Sequence, residues 1–262
     1  APSAQFPLPG WPLFRLGFRP FYLCAAAFAV IAVPFWVAGL LGWVGLPQTM
    51  PPLLWHAHEM LFGFAFAAIA GFLATAVPNW TGTPFTRGAP LAALAVLWVA
   101  ARALLVAGPA AGVAWWLAVL VELSVVPALV ALVAPPLLRT RNRNRVMLAA
   151  LGALWLADAA FLWAVSRGEP ALASRTLLAA LDLVLLMVTI VGGRIIPTFT
   201  ANALRRDGVA VAPLVRPWLE TALPALMALG AVADVAALAA LPAALLAALL
   251  AVLHALRLAG WQ

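Results

Sequence analysis

Between Phe21 and Leu258 the chain is a succession of long apolar segments, parted by short stretches that hold most of its arginines. A run of about 20 apolar residues is the length of a helix that crosses a bilayer. Lipid offers no partner to backbone N–H and C=O groups, so only helices or a closed barrel can span it. These segments are Ala, Leu and Val runs without the in–out alternation of barrel strands. The sequence therefore predicts an all-α, polytopic transmembrane helix bundle. The composition agrees: 66% of residues are hydrophobic and 9% charged, where soluble domains carry roughly 25% charged residues.

Residues 1–20 contain Pro2, Pro7, Pro9, Pro12 and Pro20 and read as a juxtamembrane N-terminal collar, because proline interrupts a regular helix. Residues 21–262 read as a single transmembrane helical domain. The first span is expected from Phe21 to Leu46 with a kink at Pro34, and the second from the turn at Gln48–Pro52 to Val77. Further spans follow from Leu91 to Val106, beyond a turn at Gly108-Pro109 from Gly112 to Val133, from Val146 to Ser166, and from Thr176 to Ile196. The block from Pro217 to Leu258 is too long for one helix and divides near Asp234. That makes about eight spans.

All fifteen basic residues are arginine, and the net charge is +7. In a soluble protein this would suggest nucleic acid as a partner. Here the arginines lie between apolar segments, as the positive-inside rule describes, and the partner is membrane lipid. With the N-terminus inside, eleven arginines fall on inner segments, including the run from Arg139 to Arg145. Only Arg167 and Arg175 fall outside, while Arg102 and Arg194 lie within spans and are not counted. The count predicts that both termini are cytoplasmic. Cys24 is the one cysteine, which excludes an intramolecular disulfide and the Cys-x-x-Cys-His attachment of covalent haem.

Trp55-His56-Ala57-His58-Glu59-Met60 holds two of the three histidines and one of the eight acids. Ionisable groups at membrane depth are costly and are functional candidates for that reason. On a helical wheel His56 shares a stripe with Glu59, Gly63, Ala67 and Gly71, whereas His58 faces the other way. One metal cannot take both histidines, so two sites are expected, or one ligand and one supporting group. Met60 lies one turn after His56 and is a soft donor of the kind copper(I) prefers. The small residues of the His56 stripe admit either a neighbouring helix or a flat porphyrin with imidazole as axial ligand.

Counting residues from the span ends groups His56, His58, Glu59, Glu122, Asp158 and Asp182 into one polar layer in the outer half of the bilayer. Arg19, Trp80, Arg194 and His254 fall near the inner face. The carboxylates either seal the bundle by hydrogen bonds or hold imidazoles and move protons, with Glu59 and Asp182 as candidate proton groups. Gly192-Gly193-Arg194 permits close approach, and its arginine suits an anionic group such as a haem propionate or ordinary anchoring at the membrane surface. No phosphate loop, Ser/His/Asp set or other soluble catalytic motif is present.

Four blocks carry a resemblance: Gly17-Phe-Arg-Pro-Phe21, Trp55-His-Ala-His-Glu-Met-Leu-Phe-Gly63, Gly71-Phe-Leu-Ala-Thr-Ala-Val-Pro-Asn-Trp-Thr-Gly82 and Gly192-Gly-Arg-Ile-Ile-Pro197. In order and spacing the chain resembles the NnrS family, polytopic haem- and copper-containing membrane proteins of the bacterial nitric-oxide response. The resemblance implies a multi-pass protein of the bacterial inner membrane that protects against nitric oxide or handles metal–nitrosyl stress. It implies non-covalent haem b, with copper as an open second metal. His56 and His58 become the leading haem or copper ligands, and Arg19 and Arg194 become site residues. Members of the family usually continue past the equivalent of Gln262 into further helices, so this chain is expected to be C-terminally short. The residues alone also allow a proton- or metal-coupled transporter or channel, with His58, Glu59, Glu122, Asp158 and Asp182 as its path.

Overall fold

The computed structural model describes residues 11–47, 49–107, 112–209, 214–237 and 239–261. A short 3-10 turn at Pro12–Arg15 leads into α1 (Phe18–Leu40). Helix α2 (Pro52–His58), a π-helical stretch (Glu59–Ala65) and α3 (Phe66–Thr81) form one continuous span of 30 residues. Then come α4 (Ala89–Ala107), α5 (Trp115–Arg139), α6 (Val146–Ser166), α7 (Pro170–Arg206), α8 (Pro217–Val235) and α9 (Ala240–Ala259). Eight helical segments are long and apolar enough to cross a membrane, and no strand occurs among the described residues. The division of the last apolar block falls after Val235, beside the expected Asp234.

Several boundaries move, each for a local reason. Helix α1 starts at Phe18, inside the stretch expected to be a non-helical collar, because Pro20 occupies the first turn, where its missing N–H has no helical partner to lose. It ends at Leu40 rather than Leu46, as Gly42 turns the chain with a φ of 75° that side-chain-bearing residues rarely adopt. Helix α7 has 37 residues, roughly 55 Å at the helical rise, and outruns the apolar core expected from Thr176 to Ile196. It passes through Pro197 and ends only at Asp207-Gly208. Pro2, Pro7, Pro9, Gln48 and the Gly108-Pro109 turn lie outside the described residues.

The helices gather into two compact units, Ala1–Gly168 and Glu169–Gln262. In the first, α1 lies along α3 and the π-helical stretch, α4 packs on α5, and α5 also touches α3 and α6. Its interior holds Phe21, Trp55, Phe66, Leu129, Leu154 and Phe161, all fully buried. The outward residues are as apolar as the inward ones: Val30, Ile31, Val96, Leu120 and Leu156 are exposed, the exterior that hydrocarbon rather than water requires. In the second unit α8 packs between α7 and α9, around Leu219, Leu223 and Leu253.

Candidate functional site

The first unit encloses an ionic cluster built from four helical segments. His58 ends α2, Glu59 opens the π-helical stretch, Arg102 comes from α4, Glu122 from α5 and Asp158 from α6. All five are buried. His58 Nδ1 lies 3.2 Å from Glu59 Oε1, and Nε2 lies 3.0 Å from Asp158 Oδ1 and 4.0 Å from Glu122 Oε1. Arg102 Nη1 donates to both oxygens of Glu59, at 3.0 Å each, and Nη2 pairs with Glu122 Oε2. The imidazole is enclosed by two phenyl rings, Phe161 stacked at 4.8 Å and Phe62 tilted at 5.0 Å between centroids. Asp158 Oδ2 and Arg102 Nε are buried without a hydrogen-bond partner among the described residues.

Charged groups removed from water cost several kcal/mol each by order of magnitude unless partners replace the lost hydration. The reciprocal pairing supplies those partners and explains how five ionisable groups can share one apolar bundle. The π-helical stretch contributes as well. Its wider turn narrows the angle between successive side chains, so His58 and Glu59 point into the same gap. The indole N–H of Trp98 donates to Gly63 O at 3.2 Å within that stretch, pinning it to α4.

The wheel assigned Glu59 to the stripe of His56, whereas the structure gives Glu59 to His58. A regular 100° step does not describe a π-helical turn. His56 sits apart, its ring stacked on Trp36 at 3.9 Å and 12°. Trp36 is held in turn by a hydrogen bond from Nε1 to Pro52 O at 3.1 Å. His56 Nδ1 is buried and has no hydrogen-bond partner among the described residues. Met60 is partly buried on the π-helical stretch. The small-residue stripe is filled by α1: a Cβ at Gly63 would overlap Phe28, and one at Gly71 would meet Phe21 and Tyr22 at 3.0 Å. Helix contact, not a porphyrin face, uses that stripe.

The other expected site residues have local partners. Arg19 Nη1 donates to Pro12 O at 2.9 Å on an exposed surface. In the second unit the arginine beside the paired glycines is Arg257, not only Arg194. It pairs with Glu220 through Nε at 2.8 Å and through Nη2, donates from Nη1 to Thr189 O at 3.0 Å, and lies 5.2 Å from the Trp261 ring centroid. A Cβ at Gly193 would collide with its guanidinium. Asp182 of α7 neighbours Asp234 of α8, with Gly230 leaving room beside it.

Arg102 and Arg257 are the functional candidates that sequence reasoning missed. By sequence Arg102 lies within a span and outside the arginine count, and Arg257 is one of the eleven inner arginines. The available signal was the cost of burying arginine, which points to an acid on another helix. Which acid is a matter of packing.

The donors can be tested against the groups that the resemblance implies. His58 has Nδ1 facing Glu59 and Nε2 facing Asp158 and Glu122, between Phe62 and Phe161, a carboxylate-lined enclosure that suits a bare cation better than a porphyrin. His56 fits as an axial donor, having an unpartnered nitrogen on a ring already oriented by Trp36. No curated protein and no solved structure matches the chain. The family model described as NnrS protein matches residues 12–262. A match over nearly the whole described length, on a bundle of eight apolar helices, means that the chain belongs to the NnrS family.

Proposed function

We propose that this protein binds non-covalent haem through His56 and acts in the bacterial nitric-oxide response, protecting the cell from nitric oxide or metal–nitrosyl stress. Membership of the NnrS family is consistent with a membrane protein of that response. The observation that carries the haem reading is His56 itself: a buried, unpartnered Nδ1 on a ring stacked flat against Trp36. Buried polar atoms rarely go without a partner, and a metal is a partner that this chain's own atoms do not supply.

When bound, haem would supply an iron able to bind nitric oxide. The chain's residues do the rest. Trp36 fixes the plane of His56, and the Pro52 carbonyl fixes Trp36. Apolar packing by Trp55 and Phe35, whose rings meet edge-on at 5.6 Å, keeps water from the same end of α2. Arg102 locks Glu59 in place, so the pair of Asp182 with Asp234 is the better proton store of the two expected proton groups. Copper, as a second metal, would draw on the Met60 thioether. The arginine count supports an orientation with both termini cytoplasmic in the inner membrane.

The test is the absorption spectrum of detergent-purified protein, oxidised and dithionite-reduced. A Soret band at near one haem per chain, lost in His56→Ala and kept in His58→Ala that remains folded, is the expected result. A colourless protein that instead drives solute or ion flux in proteoliposomes would replace this reading with a transporter.

A further inference from the structure

We propose that His58, Glu122 and Asp158 form a site for one divalent first-row transition cation, of the zinc or ferrous-iron kind, separate from His56. His58 Nε2, a Glu122 oxygen and an Asp158 oxygen all lie within 4.8 Å of one another. Tetrahedral ligands at zinc distances stand about 3.3–3.6 Å apart. Nε2 to Asp158 Oδ1 is 3.0 Å and Nε2 to Glu122 Oε1 is 4.0 Å, so small rotations of these side chains bring them to ligand geometry.

Three independent features point to a cation there. Asp158 is fully enclosed, yet its Oδ2 has no hydrogen-bond partner, leaving a lone-pair donor beside the imidazole. Glu59 already holds Nδ1 of His58, the outward hydrogen bond that orients a metal-ligating histidine and fixes its tautomer. The formal charges also leave a deficit. Glu59, Glu122 and Asp158 as carboxylates, against the Arg102 guanidinium and an imidazolium that donates to two of them, sum to minus one, and a divalent cation in place of the Nε2 proton brings the cluster to zero.

Arg102 does not compete for the ligand atoms. It engages Glu59 and Oε2 of Glu122 and leaves Oε1 facing His58. One imidazole with carboxylate oxygens and no sulfur suits zinc, iron or manganese, and does not select copper(I). The site is therefore distinct in chemistry as well as position from a centre at His56.

The full chain, purified in detergent and stripped with chelator, is titrated with Co2+ while its d–d absorption is followed, and Zn2+ is then added in competition. The expected result is one Co2+ per chain, displaced by Zn2+, with uptake unchanged in His56→Ala. Asp158→Asn and Glu122→Gln should weaken binding on the order of 100-fold or more, at least the loss typical for the outer partners of a metal site. X-ray absorption of the wild-type zinc form should show one imidazole and otherwise oxygen around the metal, a readout that needs no variant to fold. Absence of stoichiometric Co2+ uptake, or sulfur or two imidazoles around the zinc, overturns the proposal. Haem content is scored separately, so either reading can fail alone.

Discussion

Arg102 Nη1 stands 3.0 Å from each carboxylate oxygen of Glu59, across 43 residues of chain, with both side chains buried. A second nitrogen of the same guanidinium takes Glu122. One arginine thus ties the π-helical stretch to α4 and α5, and holds two of the three carboxylates around His58.

Arg102→Met leaves two buried carboxylates without their counter-ion. Breaking a buried pair from one side typically costs about 3–5 kcal/mol, so thermal unfolding in detergent should fall sharply. The double variant Arg102→Met with Glu122→Gln should recover part of the loss, since less uncompensated charge remains. A Tm for Arg102→Met equal to wild type would mean that the cluster is not formed as described.

Gly193→Ala and Gly192→Ala should differ strongly. A Cβ at Gly193 runs into the Arg257 guanidinium and the Glu220 carboxylate, whereas one at Gly192 meets only Ile196 Cδ1 at 3.6 Å. Overpacking costs about 1–3 kcal/mol, and a displaced Arg257 would add to it. Thermostability of the two variants side by side checks this, with Gly192→Ala expected close to wild type.

Trp98→Phe keeps most of the packing but removes the donor to Gly63 O. Gly63 O keeps the backbone N–H of Phe66, so the loss is that of one hydrogen bond, about 0.5–1.5 kcal/mol. The expected signature is a modest drop in Tm together with faster amide exchange across Glu59–Ala65, read by hydrogen–deuterium exchange. Unchanged exchange would show that the indole does not hold the π-helical turn.

Trp36→Ala removes the plane against which His56 stacks. Haem content should decrease, but less than in His56→Ala, because the ligand survives and only its orientation is lost. The ratio of Soret to protein absorbance measures it. Equal haem content in Trp36→Ala and wild type would remove stacking from the account.

Asp182 and Asp234 are neighbouring carboxyl groups, and two such groups avoid like-charge repulsion by sharing one proton. Infrared spectra should therefore show a protonated-carboxyl C=O band that is lost in Asp182→Asn. That variant should stay stable, since the amide can donate the same bond.

The sequence by itself determined the class of the protein. Hydropathy is a local, additive property, and a segment from Val146 to Ser166 with no charge inside except Asp158 can satisfy its backbone in lipid only as a helix. It also singled out His56, His58, Glu59, Glu122, Asp158 and Asp182 as expensive and grouped them by depth, because rise per residue is nearly constant; the structure joins His58, Glu59, Glu122 and Asp158. What no local signal carries is the rotation of each helix about its axis and the choice of neighbour. Only the packed structure decided that Glu59 serves His58 rather than His56, that Arg102 joins them, and that Gly193 clears a path for Arg257. The π-helical turn shifts the wheel at the residues that matter most. The partners of a buried charge lie on other helices, tens of residues away.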